Sequence, residues 1–205
     1  IEPLLDSLLD NPEQDPILVA AEYINEEAGF KDAESALEGA RNIFLERVSE
    51  QADLVGTLRE YVWENAQLKS TVVDGKETTG NKFKDYFDYS EDLKKIPSHR
   101  ALALFRGRSE DVLRVKFFIK GQDDLANYGD MGICDAMVAK HFELSAKGLA
   151  ADNWLLESAC WGWRVKVSMQ LENELSMKLR EAAEEEAIKV FGDNLKDLLL
   201  AAPAG

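Results

Sequence analysis

The C-terminal quarter of this sequence contains its longest uninterrupted pattern. Proline is absent from Leu149 to Ala202, and glycine occurs there only at Gly162 and Gly192. Apolar residues recur at intervals of three and four, the spacing that places side chains on one face of a helix. Because proline and glycine are the residues that disfavour helix most, their scarcity predicts one very long helix or two nearly continuous ones. At about 1.5 Å per residue the run would extend about 75 Å, which exceeds a compact domain and would bridge separate modules.

Shorter helices are predicted before this run, in residues 1–69. Asp15 and Pro16 form a start signal, an N-cap residue followed by proline in the first turn. Asp32 precedes an apolar stripe at helical spacing, and a further helix is expected from about 52 to 68. The region is therefore predicted to be a layer of helices.

The middle of the chain, residues 70–132, mixes helical and β-strand signals. The β-branched run STVV at 70–73 and the alternation of apolar and basic residues in 112–120 predict two strands that pair. A short helix is expected to begin at Ser98, and Gly107 is expected to end it in the left-handed conformation.

Other parts of this middle region are interpreted from composition. The aromatic residues Phe83, Tyr86 and Phe87 have helical spacing, which is typical of core packing. The polar stretch from Tyr89 to Asp92 is interpreted as a turn. The glycine-rich, polar residues 121–132 are interpreted as a loop and as the most mobile segment.

The fold class predicted from these patterns is mainly α: multi-helical, with a very long C-terminal helix and at most a small two-stranded β element. Three regions are expected: an N-terminal helical layer at 1–69, a mixed segment at 70–132 and a long helical region at 133–205. No stretch approaches the roughly 20 unbroken apolar residues of a membrane span. Because the chain begins at Ile1 rather than Met and ends directly after a helical run, we expect a fragment of a longer polypeptide.

The chain carries a formal net charge of −15, but its basic residues are unevenly distributed. The window from Lys69 to Lys120 holds 12 of the 24 basic residues and 8 of the 39 acidic ones, a local net charge of +4. An acidic surface disfavours non-specific nucleic-acid binding by the whole chain, because phosphate contacts need positive charge. The basic window is either a local anion-binding face or a solvated surface whose charges pair locally.

The anion-binding interpretation assigns phosphate contacts to basic side chains of this window, with Tyr86 or Tyr89 stacking on a base. The candidate nucleic-acid-binding residues are Lys82, Lys84, Arg100, Arg106, Arg108, Arg114 and Lys116.

Motifs that would indicate catalysis are missing from the sequence, including P-loop, dinucleotide-binding, zinc-protease and nucleophile-elbow patterns. Its two histidines, His99 and His141, are interpreted as packing or helix-end groups. Cys134 and Cys160, 26 residues apart, fit neither a disulfide framework nor a zinc site and are expected to be buried thiols in a reducing cytosol. Since no nucleophile, base and stabiliser can be named together, no enzyme activity, cofactor or metal site is predicted.

Five segments spread over nearly the whole chain carry a resemblance to a known family. The longest is KFKDYFDYSEDLKKIPSHRALALFRGR at 82–108. The others, in chain order, are NPEQDPILVAAEYIN (11–25), EGARNIFLER (38–47), AADNWLLE (150–157) and EAIKVFGDNLKDLLLAAPAG (186–205). In these segments and their order, the sequence resembles the Tex family of bacterial transcription accessory proteins.

The resemblance implies a helical region toward the N-terminal end of the family's longer chains. In those chains an RNase-H-like domain follows, then helix-hairpin-helix modules and an RNA-binding OB-fold domain, and no catalytic residue is carried over to this region. The expected function is a helical scaffold or interaction region of an RNA-binding, cytoplasmic transcription accessory protein. The alternative is that the basic window 69–120 itself binds RNA or DNA phosphates. Expected partners are other domains of the same chain, RNA or DNA through the parent protein, and the transcription machinery, with no membrane.

Overall fold

The computed structural model describes residues 1–201, which form eight α-helices and three β-strands. The helices are α1 (Glu2–Asp10), α2 (Pro16–Ala20), α3 (Ala33–Glu50), α4 (Ala52–Asn65), α5 (Ser98–Ser109), α6 (Ile133–His141), α7 (Asp152–Trp161) and α8 (Ser168–Leu200). The strands are β1 (Gln67–Val72), β2 (Asp88–Asp92) and β3 (Leu113–Phe118). The predicted mainly α fold is confirmed. Among residues 1–201, no helix has both the length and the apolar character needed to cross a membrane.

The chain divides into two compact units, and each unit draws on two separate stretches of sequence. The first unit contains Ile1–Tyr61 and Gly121–Leu171, and the second contains Val62–Lys120 and the chain from Glu172 onward. The three-part division predicted in chain order stays a prediction.

Helix α3 is the centre of the first unit, where it packs against α1, α2, α7 and a π-helical segment that follows α7. Its buried face carries Ala40, Phe44 and Val48, at the helical spacing read from the sequence. The Phe44 ring lies 4.8 Å from that of Phe142, which follows α6. This apolar stripe therefore holds several helices of the unit together.

Two helix starts predicted from local sequence are confirmed. The Asp15 side chain accepts a hydrogen bond from the backbone of Ile17 at 2.9 Å, and Pro16 occupies the first position of α2. The Asp32 carboxylate accepts from the backbone of Ser35 at 2.7 Å and forms a capping box at the start of α3. Such caps satisfy backbone N–H groups that have no partner inside the helix.

The long C-terminal helical run is also confirmed. Helix α7, the π-helical segment Gly162–Val167 and α8 follow one another without a break in helical structure. The π-helical segment begins at Gly162, where a Cβ atom would lie 3.1 Å from Cγ2 of Val48 on α3. The two tryptophans at this junction are two residues apart and so lie on different sides of the helix, with Trp163 buried and Trp161 37% exposed. The sequence predicts that the helical run stops at Pro203, which lies outside the described residues.

The second unit contains an antiparallel sheet with strand order β2-β1-β3, so the prediction of at most two strands is wrong. The pairing of the two predicted strands, now β1 and β3, is correct. The third strand, β2, includes the residues interpreted as a turn, and its sequence DYSED has low β-propensity. Because β2 is an edge strand joined to β1 by backbone hydrogen bonds, its pairing needs no apolar alternation, and charged side chains are common on such edges.

Gly107 does not end α5 as predicted; it lies within the helix, and the left-handed residue after the helix is Asp111, with a φ of 55°. A Cβ atom at position 107 would lie 2.4 Å from Cδ1 of Leu113, the first residue of β3. Glycine is therefore required here by the close approach of helix to strand.

The aromatic residue Phe83 is buried, as predicted, although its segment Asn81–Tyr86 forms a 3₁₀ rather than an α-helix.

Candidate functional site

The seven predicted nucleic-acid-binding residues do not form one cluster. Two of them, Lys82 and Arg106, share a single carboxylate, that of Glu110. Arg106 reaches it at 3.0 Å across one helical turn. These two cations and their shared acid make a local ion-pair group, which matches the solvated-surface interpretation of the basic window.

Arg100 is likewise engaged, on the side of the sheet that faces α5. Its guanidinium lies 3.5 Å from the Glu91 carboxylate and donates a hydrogen bond to the Tyr89 hydroxyl at 3.3 Å. Tyr89 also bonds Glu91 and meets the ring of Tyr86 edge-on, with centroids 5.3 Å apart. Burial, followed by the bond to Glu91, raises the pKa of Tyr89. The two tyrosines proposed to stack on bases are thus half-buried and packed on each other.

Lys84 and Arg108 are exposed at separate places in the second unit. Lys84 belongs to the 3₁₀ segment, and Arg108 lies in the last turn of α5 with its guanidinium 5.1 Å from the centroid of Phe105. Neither is paired with a carboxylate among the residues that the structure describes.

Arg114 and Lys116 lie together on the solvent face of the sheet. They alternate along β3 with Leu113 and Val115, which are buried on the opposite face. In the antiparallel register, Lys116 lies directly opposite Lys69 of β1, and opposed residues share a face. Three cations therefore project from the β1–β3 half of this surface.

Phe118 completes that half of the face. It lies two positions beyond Lys116 and opposite Gln67, and the Lys69 ammonium is 3.4 Å from the centroid of its ring. Sequence reasoning missed both Lys69 and Phe118 as site residues. The alternation in 112–120 already placed Phe118 with Arg114 and Lys116, but the position of Lys69 depends on the register of β1 and β3.

The β2 side of the same face is polar and acidic. Ser90 donates to the side chain of Gln67 at 3.1 Å, and Gln67 donates to Asp92 at 3.3 Å. Asp88, which opposes Thr71, is exposed. Charge is therefore segregated across the sheet, with cations on β1 and β3 and carboxylates on β2. We call the β1–β3 half, formed by Lys69, Arg114, Lys116 and Phe118, the basic sheet face.

A second surface lies at the end of α8. Leu175, Leu179 and Ala183 are buried, and Lys178 holds its ammonium 4.2 Å from the centroid of Trp63. From 184 to 200 every residue is exposed, although apolar residues continue. The large exposed apolar residues of this stretch are Ile188, Val190, Phe191, Leu195, Leu198, Leu199 and Leu200.

Four of these residues form a continuous stripe. Ile188, Phe191, Leu195 and Leu198 follow one another at intervals of three, four and three, which places them on one side of a helix. Their exposed fractions lie between 46% and 72%. We call these four residues the α8 stripe. It extends about 15 Å along the helix, within an exposed segment about 25 Å long.

The first unit contains a buried polar cluster. Asp135 is fully buried on α6, and one of its carboxylate oxygens accepts from Gln122 at 3.1 Å. Arg164, in the π-helical segment, pairs with Asp135 and also donates to the backbone carbonyls of Tyr128 and Asp130, both at 2.7 Å. These bonds tie the predicted loop, which contains no helix or strand, to two helices.

The two cysteines are buried and the two histidines are exposed. Cys134 and Cys160 are free and buried, as predicted. Burial raises the pKa of Cys134 to about 12 and also raises that of Cys160, so neither is an activated thiolate. His99 is exposed in the first turn of α5, and His141 is exposed in the last turn of α6 with Nε2 3.4 Å from the Gln51 side-chain oxygen.

Known proteins match this chain over its whole length. A family model described as Tex central region-like matches residues 11–191. The chain is 47% identical over 205 residues to Protein YhgF of Escherichia coli K12 and 45% identical over 210 residues to Protein tex of Bordetella pertussis. It is 44% identical over 205 residues to Transcriptional accessory protein Tex of Neisseria gonorrhoeae.

Each of these matches covers 100% of this chain and 26% of the relative. The chain therefore spans about a quarter of the length of these curated relatives. The predicted resemblance is confirmed, and the match of the family model over most of the sequence shows that the chain belongs to the Tex family.

Proposed function

We propose that this chain is the helical interaction region of a longer Tex-family protein, and that the α8 stripe docks against other modules of the same polypeptide. One observation carries the proposal. Residues 184–200 continue a helix with four large apolar side chains on one side and no buried residue.

Docking of the α8 stripe would be driven by the hydrophobic effect, the free energy gained when apolar side chains leave water. Full burial of one such side chain contributes about 1.5–3 kcal/mol, so a stripe of four supplies enough free energy to hold a docked module once the ordering costs are met. Contiguous exposed apolar residues on a folded protein are typical of interaction sites.

The relatives support the choice of occupant. They are about four times as long as this chain, so most of each related protein lies outside the matched region. A module of the same polypeptide is present at high effective concentration, which favours it over a separate partner. The role of the whole protein in transcription, its RNA or DNA binding and its cytoplasmic location belong to this proposal and rest on the family.

We propose a binding role and not a catalytic one for this region. In support, its thiols are buried with raised pKa values, and its two histidines lie exposed at the ends of different helices. Nucleophilic or acid-base catalysis needs such groups to converge on one position.

The proposal is tested by substitutions that remove the stripe. Phe191→Ser with Leu198→Ser leaves the unfolding midpoint of the 205-residue chain nearly unchanged, because both side chains are already exposed. In the longer protein the same pair is expected to lower the unfolding midpoint, because docking would bury both side chains.

The matched control is Lys189→Ser with Asn194→Ser, at exposed polar positions of the same helix segment. It is expected to leave both proteins unchanged. Equal behaviour of the stripe pair and the control pair in the longer protein would refute docking through α8.

A further inference from the structure

We propose that the basic sheet face binds a single strand of nucleic acid, with backbone phosphates on Lys69, Arg114 and Lys116 and one base stacked on Phe118. This site goes beyond the proposed docking role and uses none of the α8 stripe. It also differs from the seven-residue site predicted from the sequence, of which it retains two members.

The three cations of the basic sheet face lie close together on two neighbouring strands. Arg114 and Lys116 are two residues apart on β3, a rise of about 6.8 Å. Lys116 opposes Lys69 with a Cα separation of about 5 Å, and like charges directly opposite each other weaken a sheet. A phosphate bound between these ammonium groups would turn an unfavourable pair into two favourable contacts.

The cations of the basic sheet face are available to bind phosphates. Among residues 1–201, Lys69 and Lys116 form no ion pair, and the carboxylate nearest to Arg114 is that of Asp74 at 3.9 Å. The Asp74 side chain is 94% exposed, so this pair is loose and solvated. By contrast, Lys82 and Arg106 already share Glu110, and a phosphate would have to displace that carboxylate.

The aromatic ring of Phe118 lies beside these cations and is suited to stack on a base. Phe118 is half-buried on the solvent face, with the Lys69 ammonium over its ring at 3.4 Å. In the structure the Lys69 ammonium covers this ring face, and an unpaired base can stack there when the ammonium moves to a phosphate. Stacking on aromatic side chains is the usual way in which proteins hold unpaired bases.

The acidic edge of the sheet favours one strand over two. The three strands span about 10 Å, and two carboxylates border the cations on the β2 side: that of Asp88, which is exposed, and that of Asp92, which is paired with Lys95 at 2.7 Å. The second phosphate backbone of a duplex would meet this negative edge, and paired bases could not stack on Phe118. None of the proposed contacts involves the sugar, so RNA and DNA strands should bind alike.

The test is a titration of the 205-residue chain with fluorescent oligouridylate, oligothymidylate and a DNA duplex, each of about 12 nucleotides, at several salt concentrations. The two single strands are expected to bind within about threefold of each other and more tightly than the duplex. Three phosphate contacts to a single strand predict a slope of about −2 for log K against log salt. Phe118→Ala is expected to weaken binding about tenfold without changing this slope.

Charge removal locates the site. Arg114→Gln with Lys116→Gln should reduce the slope to about −0.7. The control, Lys84→Gln with Arg108→Gln, removes the same charge from exposed residues elsewhere in the basic window and should leave affinity and slope unchanged. Circular dichroism and the urea midpoint verify that each variant is folded.

Several results would overturn the proposal. They are the absence of binding at low salt, equal loss of binding in the two double variants, a duplex that binds as tightly as the single strands, or a strong preference for one sugar. Unchanged binding in Phe118→Ala would refute the stacking contact.

Discussion

The carboxylate of Asp135 lies 2.5 Å from a guanidinium nitrogen of Arg164, and this carboxylate is completely buried. The two residues are 29 positions apart and join α6 to the π-helical segment. The remaining donors of Arg164 hold the loop through the carbonyls of Tyr128 and Asp130. One ion pair therefore fixes two helices and a long loop of the first unit.

The variant Asp135→Asn is expected to destabilise the chain by about 3–5 kcal/mol. It keeps the shape of the side chain but leaves the Arg164 charge without its buried counter-charge, and breaking a buried pair in this way costs that much. Urea denaturation measures the change in the free energy of unfolding.

The control for this variant is Arg106→Gln, which removes one partner of a solvent-exposed pair. It should leave the urea midpoint unchanged, since exposed pairs contribute little. If Asp135→Asn behaved like this control, the buried pair would not be a major contributor to stability.

A second prediction concerns the approach of α5 to β3. Gly107→Ala is expected to destabilise the chain by about 1–3 kcal/mol, because its methyl group would overlap the buried side chain of Leu113. Gly56→Ala is the matched control within α4, where the nearest atom to the new methyl group is 4.0 Å away.

The control should stabilise the chain by about 0.5–1 kcal/mol, since alanine favours helix over glycine. Urea midpoints that move in opposite directions would support the close approach of helix and strand. A stabilising Gly107→Ala would show that this contact is looser than the geometry indicates.

The sequence predicts those parts of the fold that depend on neighbouring residues. The caps at Asp15 and Asp32 are such features, because a side chain bonds a backbone group two or three residues away. The long C-terminal helix is another, because its apolar spacing is unbroken by proline. The β1–β3 pairing could also be predicted, since both strands contain β-favouring residues.

Features that depend on distant residues could not be predicted in this way. Strand β2 exists because its backbone pairs with β1, and its own side chains give little sign of it. Gly107 has the sequence context of a helix end, but its role is set by Leu113, six residues later, which packs back against the helix in a way that local sequence does not reveal.

The same limit applies to the candidate sites. Composition located the basic window, yet it could not separate Lys82 and Arg106, which share Glu110, from Arg114 and Lys116 on the sheet. Helical spacing predicted the apolar residues of α8, but not that those after Ala183 would be exposed. Burial is a property of the folded chain, so periodicity alone does not distinguish a core face from a docking face.

The central claim is that the α8 stripe is covered by other parts of a longer protein. Amide hydrogen exchange of residues 184–200, measured in the 205-residue chain and in the longer protein, tests it most directly. We predict that docking slows exchange in the longer protein by about tenfold or more, equivalent to about 1.4 kcal/mol of local stabilisation. Exchange of these residues at the same rate in both proteins would contradict the claim.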